Sequence, residues 1–159
     1  MKEHSVSFQY SVLELSELPA DVVTLIGHAR KARKAAYAPY SEFLVGAALK
    51  LDSGDIVTGS NQENASFPAG LCAERVAAHQ AMAVHPNARI EALAIVAGKK
   101  GSTQGAAVAP CGICRQSLLE YERVQDFPIM VYCVSLSGKV IRVSGISSLL
   151  PLSFGREDL

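Results

Sequence analysis

Two short segments far apart in the chain, Cys72-Ala73-Glu74 and Pro110-Cys111-Gly112-Ile113-Cys114, restrict the folds open to it. Their three thiols suit one zinc ion, and a shared ion requires the fold to bring both segments to one place. Within the second segment the spacing of Cys111 and Cys114 lets two sulfurs converge on one ion from a single turn. Three protein ligands leave the fourth tetrahedral position open to water, as in catalytic zinc sites, whereas structural sites are usually closed by four. Glu74 stands two residues from the first thiol. A carboxylate beside a zinc-activated water can move protons.

The chain has 159 residues, 49% of them hydrophobic and 19% charged, which predicts one compact domain over residues 1–159 with a real core. Formal net charge is zero, and the only basic cluster, residues 31–34, reads as a helix end. Nothing in that balance points to a nucleic-acid surface. No apolar run approaches the length of a membrane span. Met1-Lys2-Glu3-His4-Ser5-Val6 lacks the apolar stretch of a secretory signal, so the expected compartment is the cytoplasm. There, four cysteines are better explained by metal than by disulfides.

Strict alternation from Ser5 to Val12 predicts a half-buried strand with Val6, Phe8, Tyr10 and Val12 on its apolar side. Pro19 marks a helix start, and Val22, Val23, Ile26, Ala29 and Ala36 give its apolar stripe. Strands are predicted over 43–51 and 55–59, a polar loop over 61–70, and an Ala-rich helix over 72–84. A short apolar strand over 92–97 has the pattern of one buried on both faces. A second helix over 111–121, strands over 129–135 and 139–143, and a short helical piece over 146–150 follow.

This order implies an α/β fold: a three-layer α/β/α sandwich around one mixed, roughly five-stranded sheet, with 5–12 as a further N-terminal strand. The helix–strand–helix unit between Cys72 and Cys111 returns both helix N-termini to one edge of the sheet. In open α/β sheets, ligands bind beyond the strand C-termini at that edge. All three thiols fall at helix starts, where the dipole and free N–H groups favour the thiolate that zinc requires.

Three thiolates against one divalent cation leave a net charge of −1. Helix dipoles offset part of it, and Arg75, next to Glu74, is the side chain placed to hydrogen-bond the sulfurs from outside the ligand shell. His4, His28, His79 and His85 lie outside both segments. Cys133 sits mid-strand and reads as core filler. The competing readings are a closed structural zinc with Cys133 as fourth ligand, Glu74 as an ordinary helix-start acid, and Arg75 as a solvated surface arginine.

With these residues in view, the chain resembles the cytidine deaminases, specifically the small three-cysteine class. The resemblance runs from about Tyr37 to Leu159 through Pro39-Tyr40-Ser41, Phe43, residues 45–49, Asn61-Gln62-Glu63-Asn64-Ala65, Cys72-Ala73-Glu74-Arg75, residues 110–116 and the tail 149–155. It implies that Cys72, Cys111 and Cys114 hold one zinc per chain and that Glu74 is the proton shuttle. It implies that Asn61 and Glu63 bond the sugar 3′-hydroxyl, that Phe43 packs against the pyrimidine, and that the Ala73 backbone N–H meets the base carbonyl. It further implies a homotetramer in which Phe154 enters a neighbouring subunit's site. Phe67 departs from the pattern, standing where the family usually has tyrosine.

The reaction implied is hydrolytic deamination of cytidine to uridine, and of deoxycytidine to deoxyuridine, with release of ammonia, as in pyrimidine salvage. Glu74 would collect a proton from the attacking water, pass it to ring nitrogen N3, and deliver one to the leaving amino group. The partners are then a nucleoside and further copies of the chain, with neither nucleic acid nor membrane. Rival readings are a deaminase of another aminopyrimidine, against which Asn61-x-Glu63-Asn64 argues, a catalytically silent zinc module, and a nucleic-acid editing protein. The strand over 5–12 lies outside the core resemblance and either adds a sheet edge or extends a subunit contact.

Overall fold

A computed structural model describes residues 1–159. In chain order the elements are β1 (Tyr10–Leu13), α1 (Ala20–Arg33), β2 (Phe43–Leu51), β3 (Ile56–Ser60), α2 (Ala73–Val84), β4 (Ile90–Lys99), α3 (Gly112–Gln125), β5 (Met130–Val134) and β6 (Val140–Ser144). The six strands form one mixed sheet in the order β1-β6-β5-β4-β2-β3. Only β4 and β5 pair in parallel, with α3 as their crossover. The five predicted central strands and an N-terminal edge strand are all present, in an α/β/α sandwich.

Alternation along the strands divides the core between two faces. Ala48, Ala92, Ala94, Val96 and Val134 pack under Val22, Leu25, Ile26 and Ala29 of α1. Ala47, Leu49, Leu93, Ile95 and Val131 face the other way, against Ala73, Ala77 and Ala81 of α2 and Leu118 and Leu119 of α3. The central strands are thus apolar on both sides because both sides carry helices. Two sites let the helices come this close. A Cβ at Gly46 would lie 2.1 Å from the Ala29 carbonyl oxygen of α1, and one at Gly59 would lie 2.4 Å from that of Ala73 in α2.

Two expectations change. In α1, Val23 is exposed and Ala36 lies beyond the helix end, so the buried stripe is Val22, Leu25, Ile26 and Ala29. At the N-terminus the strand begins at Tyr10 rather than Ser5, and its apolar side is the exposed one: Val6, Phe8, Tyr10 and Val12 are 66%, 50%, 59% and 60% accessible. The reason is position. β1 pairs only with β6 at the sheet margin, and Tyr10 and Val12 share the face of Val143 and Ile141, beyond the part of the sheet over which α2 lies. Leu13, on the opposite face, reaches the α1 side of the core.

Strands β3 and β4 run in the same direction, each antiparallel to the β2 between them. Their C-terminal ends therefore lie at one edge of the sheet, and α2 and α3 begin just beyond it. β2 starts at that edge too, with Phe43 opposite Lys99. From the last turn of α1, Arg33 pins the edge. Its guanidinium donates to the carbonyls of Leu44, at 3.1 Å, and Gly98, at 2.7 Å.

Candidate active site

Cys72 is the N-cap of α2 and Cys111 the N-cap of α3, both with extended backbone and neither using its side chain as a cap. Their sulfurs are therefore free to meet a ligand while the helix N-termini behind them supply positive potential. Cys114 lies in the first turn of α3, fully buried. The Cys72 and Cys111 sulfurs are 3.7 Å apart and those of Cys111 and Cys114 3.5 Å apart. All three Sγ atoms lie within 4.8 Å of one another. Cys133 stands outside this group, in the core, where burial pushes its thiol up to about 12.

The electrostatics fit a cation. Hydrogen bonding from the Cys114 thiol, aided by Arg75 and Cys111, pulls the Cys72 thiol down to about 5. The same contact with Cys72, together with burial, raises that of Cys114. A neighbouring thiol and one arginine thus sustain one thiolate, whereas three thiolates at this separation require a metal. Arg75 donates through Nη2 to the Gly70 carbonyl at 3.3 Å and lies 4.0 Å from the Cys72 sulfur. Its Nε is buried with no partner. A guanidinium against sulfur, with a donor still unused, suits a cluster that stays negative after binding a divalent ion.

Glu74, in the first turn of α2, is only 5% accessible, and burial raises its carboxyl above the ordinary range. It lines a cavity of about 680 Å³ together with Cys72, Cys111 and Arg75. Its apolar lining comes from Val45, Ile95, Ala97, Val108, Ala109 and Ile113. Its polar lining comes from Ser41, Asn61, Gln62, Glu63 and Asn64. A flat, polar-edged ring over a metal cluster and a hydroxylated appendage along the polar lining is the kind of ligand this cavity accommodates.

The polar lining is built by three segments side by side. Gln62 bridges to Tyr37 on one side and Leu71 on the other. Asn61 accepts from the Val45 N–H at 2.8 Å and donates to the Phe43 carbonyl at 2.9 Å, fixing the start of β2. Glu63 accepts from the backbone N–H of Tyr40 at 2.9 Å and of Ser41 at 3.3 Å, and from the Ser41 hydroxyl.

A sequence profile of the cytidine and deoxycytidylate deaminase zinc-binding region matches residues 21–131. The chain belongs to this deaminase family. Its relatives include a cytidine deaminase of Sporosarcina psychrophila, 40% identical over 139 residues that cover 87% of this chain and 95% of that one. Another, from Mycobacterium tuberculosis (strain ATCC 25618 / H37Rv), is 41% identical over 138 residues, covering 85% and 90%. Among solved structures, the cytidine deaminase of Burkholderia pseudomallei superposes with a TM-score of 0.71 at 38% identity, covering 83% of this chain and 98% of that one. That of Mycobacterium tuberculosis gives 0.67 at 36% identity, covering 86% and 99%. Zinc is accordingly the metal that Cys72, Cys111 and Cys114 are placed to hold.

Within this deaminase fold the remaining expected residues are spread. Asn61 and Glu63 line the cavity with Glu74, whereas Phe43, Ala73 and Phe154 are not among its lining residues. Phe43 is half-buried at the start of β2, and Ala73 is buried at the start of α2. Phe154 is 58% exposed on the tail, with its carbonyl accepting from Gln116 of α3 at 3.0 Å. Sequence reasoning names Ser41 within the Pro39-Tyr40-Ser41 match but gives it no role, and it passes over Val108-Ala109, an apolar pair before Pro110-Cys111 that could have marked the cavity lining. Phe67 stacks edge-on against Tyr40 at the cavity rim, with ring centroids 5.9 Å apart.

Proposed function

We propose that this chain is a cytidine deaminase, converting cytidine and 2′-deoxycytidine with water into uridine or 2′-deoxyuridine and ammonia. The observation that carries the reading is one cavity lined by a buried Glu74, by Cys72 and Cys111 of the three-sulfur cluster, and by Asn61 and Glu63. Zinc bound by Cys72, Cys111 and Cys114 supplies Lewis acidity, which makes a water nucleophilic near neutral pH.

Glu74 is the residue that holds and moves protons. Its burial keeps proton affinity high, so it can carry a proton to ring nitrogen N3 and later to the departing amino group. The Ala73 N–H takes the base carbonyl, and Phe43 packs against the ring. Asn61 and Glu63 take the sugar 3′-hydroxyl, which ribose and 2′-deoxyribose share. Arg75 tempers the negative charge of the sulfurs.

The whole chain acts as one domain, in pyrimidine salvage in the cytoplasm, and assembles as a homotetramer in which Phe154 completes a neighbour's site. Supporting the assembly is an exposed Phe154 on a tail held by its own α3. No helix is long and apolar enough to cross a membrane. The deciding experiment is ammonia release from cytidine by purified protein, with zinc measured on the same sample. Zinc without ammonia would reduce the protein to a silent module. Faster turnover of cytosine or CMP than of cytidine would change the substrate.

A further inference from the structure

We infer that Ser41 is a positioning residue for sugar recognition: its hydroxyl holds the Glu63 carboxylate in the orientation that accepts a substrate hydroxyl. The inference rests on the proposed contact between Glu63 and the sugar. A serine hydroxyl has one proton to give. Here its oxygen accepts from the Phe43 N–H at 3.0 Å, across Glu42, whose φ is 54°. With that side taken, the proton is directed at Glu63 Oε1. Oε2 is held from the same loop by the N–H groups of Tyr40 and Ser41. Both carboxylate oxygens are thus fixed by protein donors, while Glu63 still lines the cavity.

This arrangement has a chemical consequence. A carboxylate offers about four lone-pair sites and, when ionised, only accepts. Three sites are filled by the loop of residues 40–41, which leaves one acceptor position for the cavity. That site selects a ligand group that donates, such as a free hydroxyl, over one that only accepts, such as a methyl ether or a phosphate oxygen. Ser41 also ties the Glu63 carboxylate to the start of β2 through the Phe43 backbone N–H.

The test compares Ser41→Ala, Ser41→Thr and Glu63→Gln with the wild-type enzyme on cytidine and 3′-deoxycytidine, with zinc content measured throughout. For Ser41→Ala the KM for cytidine should rise about ten-fold, the loss of one hydrogen bond to a charged group, while kcat stays within about two-fold. Its kcat/KM on 3′-deoxycytidine should equal the wild-type value, because the hydroxyl served by Glu63 is missing, and Ser41→Thr should restore the KM for cytidine. An unchanged KM in Ser41→Ala, or an equal loss on both substrates, would overturn the role of Ser41. If Glu63→Gln itself loses equally on both substrates, the reading of Glu63 falls, and this inference with it.

Discussion

Gly59 of β3 faces Ala73 of α2 so closely that a Cβ on the glycine would lie 2.4 Å from the Ala73 carbonyl oxygen and 2.5 Å from the Ala77 nitrogen. Both neighbours are backbone, so neither can rotate aside. The glycine therefore sets the height of α2 over the sheet, and with it the positions of Cys72 and Glu74 at the helix start. Gly59→Ala should destabilise the protein by about 1–3 kcal/mol, the usual cost of overpacking, and reduce zinc content, both read by thermal melting and metal analysis. Gly27 supplies the contrast. It is exposed within α1 and a Cβ there meets nothing, so Gly27→Ala should stabilise by about 0.5–1 kcal/mol. A Gly59→Ala protein with native melting and full zinc would show that α2 can shift freely.

The metal prediction follows from the three-sulfur cluster. Replacing Cys72, Cys111 or Cys114 by Ala should lose zinc and activity and lower the melting temperature, since metal-binding energy is also folding energy. Prolonged dialysis against a strong chelator should do the same to the intact chain, and added zinc should reverse it. Cys133→Ala should keep both metal and turnover, with only the modest cost of a small core cavity. Full zinc retention in Cys72→Ala would refute the ligand set.

Which parts were legible from sequence depends on how local the information is. Cys72, Cys111 and Glu74 could be placed because an N-cap and a first turn are defined by a few adjacent residues. β2 could be bounded at Phe43–Leu51 because Asp52-Ser53-Gly54 directly after it reads as a turn. Alternation over Ser5–Val12 gave a two-sided segment but could not say that its apolar side lacks a covering helix, because that depends on where β6 stands in the sheet. The role of Ser41 and the place of Val108 were unreadable for a related reason. The cavity wall is assembled from loops distant in sequence, and a serine in a turn looks the same whether or not a carboxylate lies opposite it.

Glu74→Gln separates metal binding from proton transfer. The side chains are nearly the same size, and Glu74 is not one of the three clustered sulfur residues, so the variant should fold and hold zinc. It should lose at least about 10²-fold in kcat, the lower end for one acid–base group, and more if one carboxylate serves several transfers. Single-turnover rates on zinc-loaded protein check this. Turnover near wild type would rule out Glu74 as the shuttle.

Glu122 is a second buried carboxylate with a different task. It accepts from the backbone N–H groups of Ile129 at 2.9 Å, Ile146 at 2.6 Å and Ser147 at 2.9 Å, joining α3 to the start of β5 and the turn after β6. Glu122→Ala would leave these donors without their acceptor, at about 1–3 kcal/mol for each one that stays buried. The expected result is a loss of at least about 3 kcal/mol in denaturant unfolding, with kcat per zinc-loaded molecule little changed. A small stability change would mean that water replaces the carboxylate without difficulty.

The tail decides the assembly proposal. Gln116 donates to the Phe154 carbonyl, and Arg123 donates to the Ser153 hydroxyl at 2.7 Å and pairs with Glu157. These contacts hold the tail backbone against its own α3 and leave the Phe154 ring 58% exposed and outside its own cavity. Deleting residues from Pro151 onward would remove the contacts and the ring together. Phe154→Ala removes only the ring, because Gln116 bonds the backbone. If Phe154 completes a neighbour's site, Phe154→Ala should keep zinc and melting temperature yet lower kcat/KM for cytidine by about ten-fold or more, the scale of a buried aromatic contact at an interface. Light scattering on the wild-type protein should give a tetramer at assay concentration. A fully active monomer, or an unimpaired Phe154→Ala, would end the tetramer-completed site while leaving the zinc ligands and Glu74 untouched.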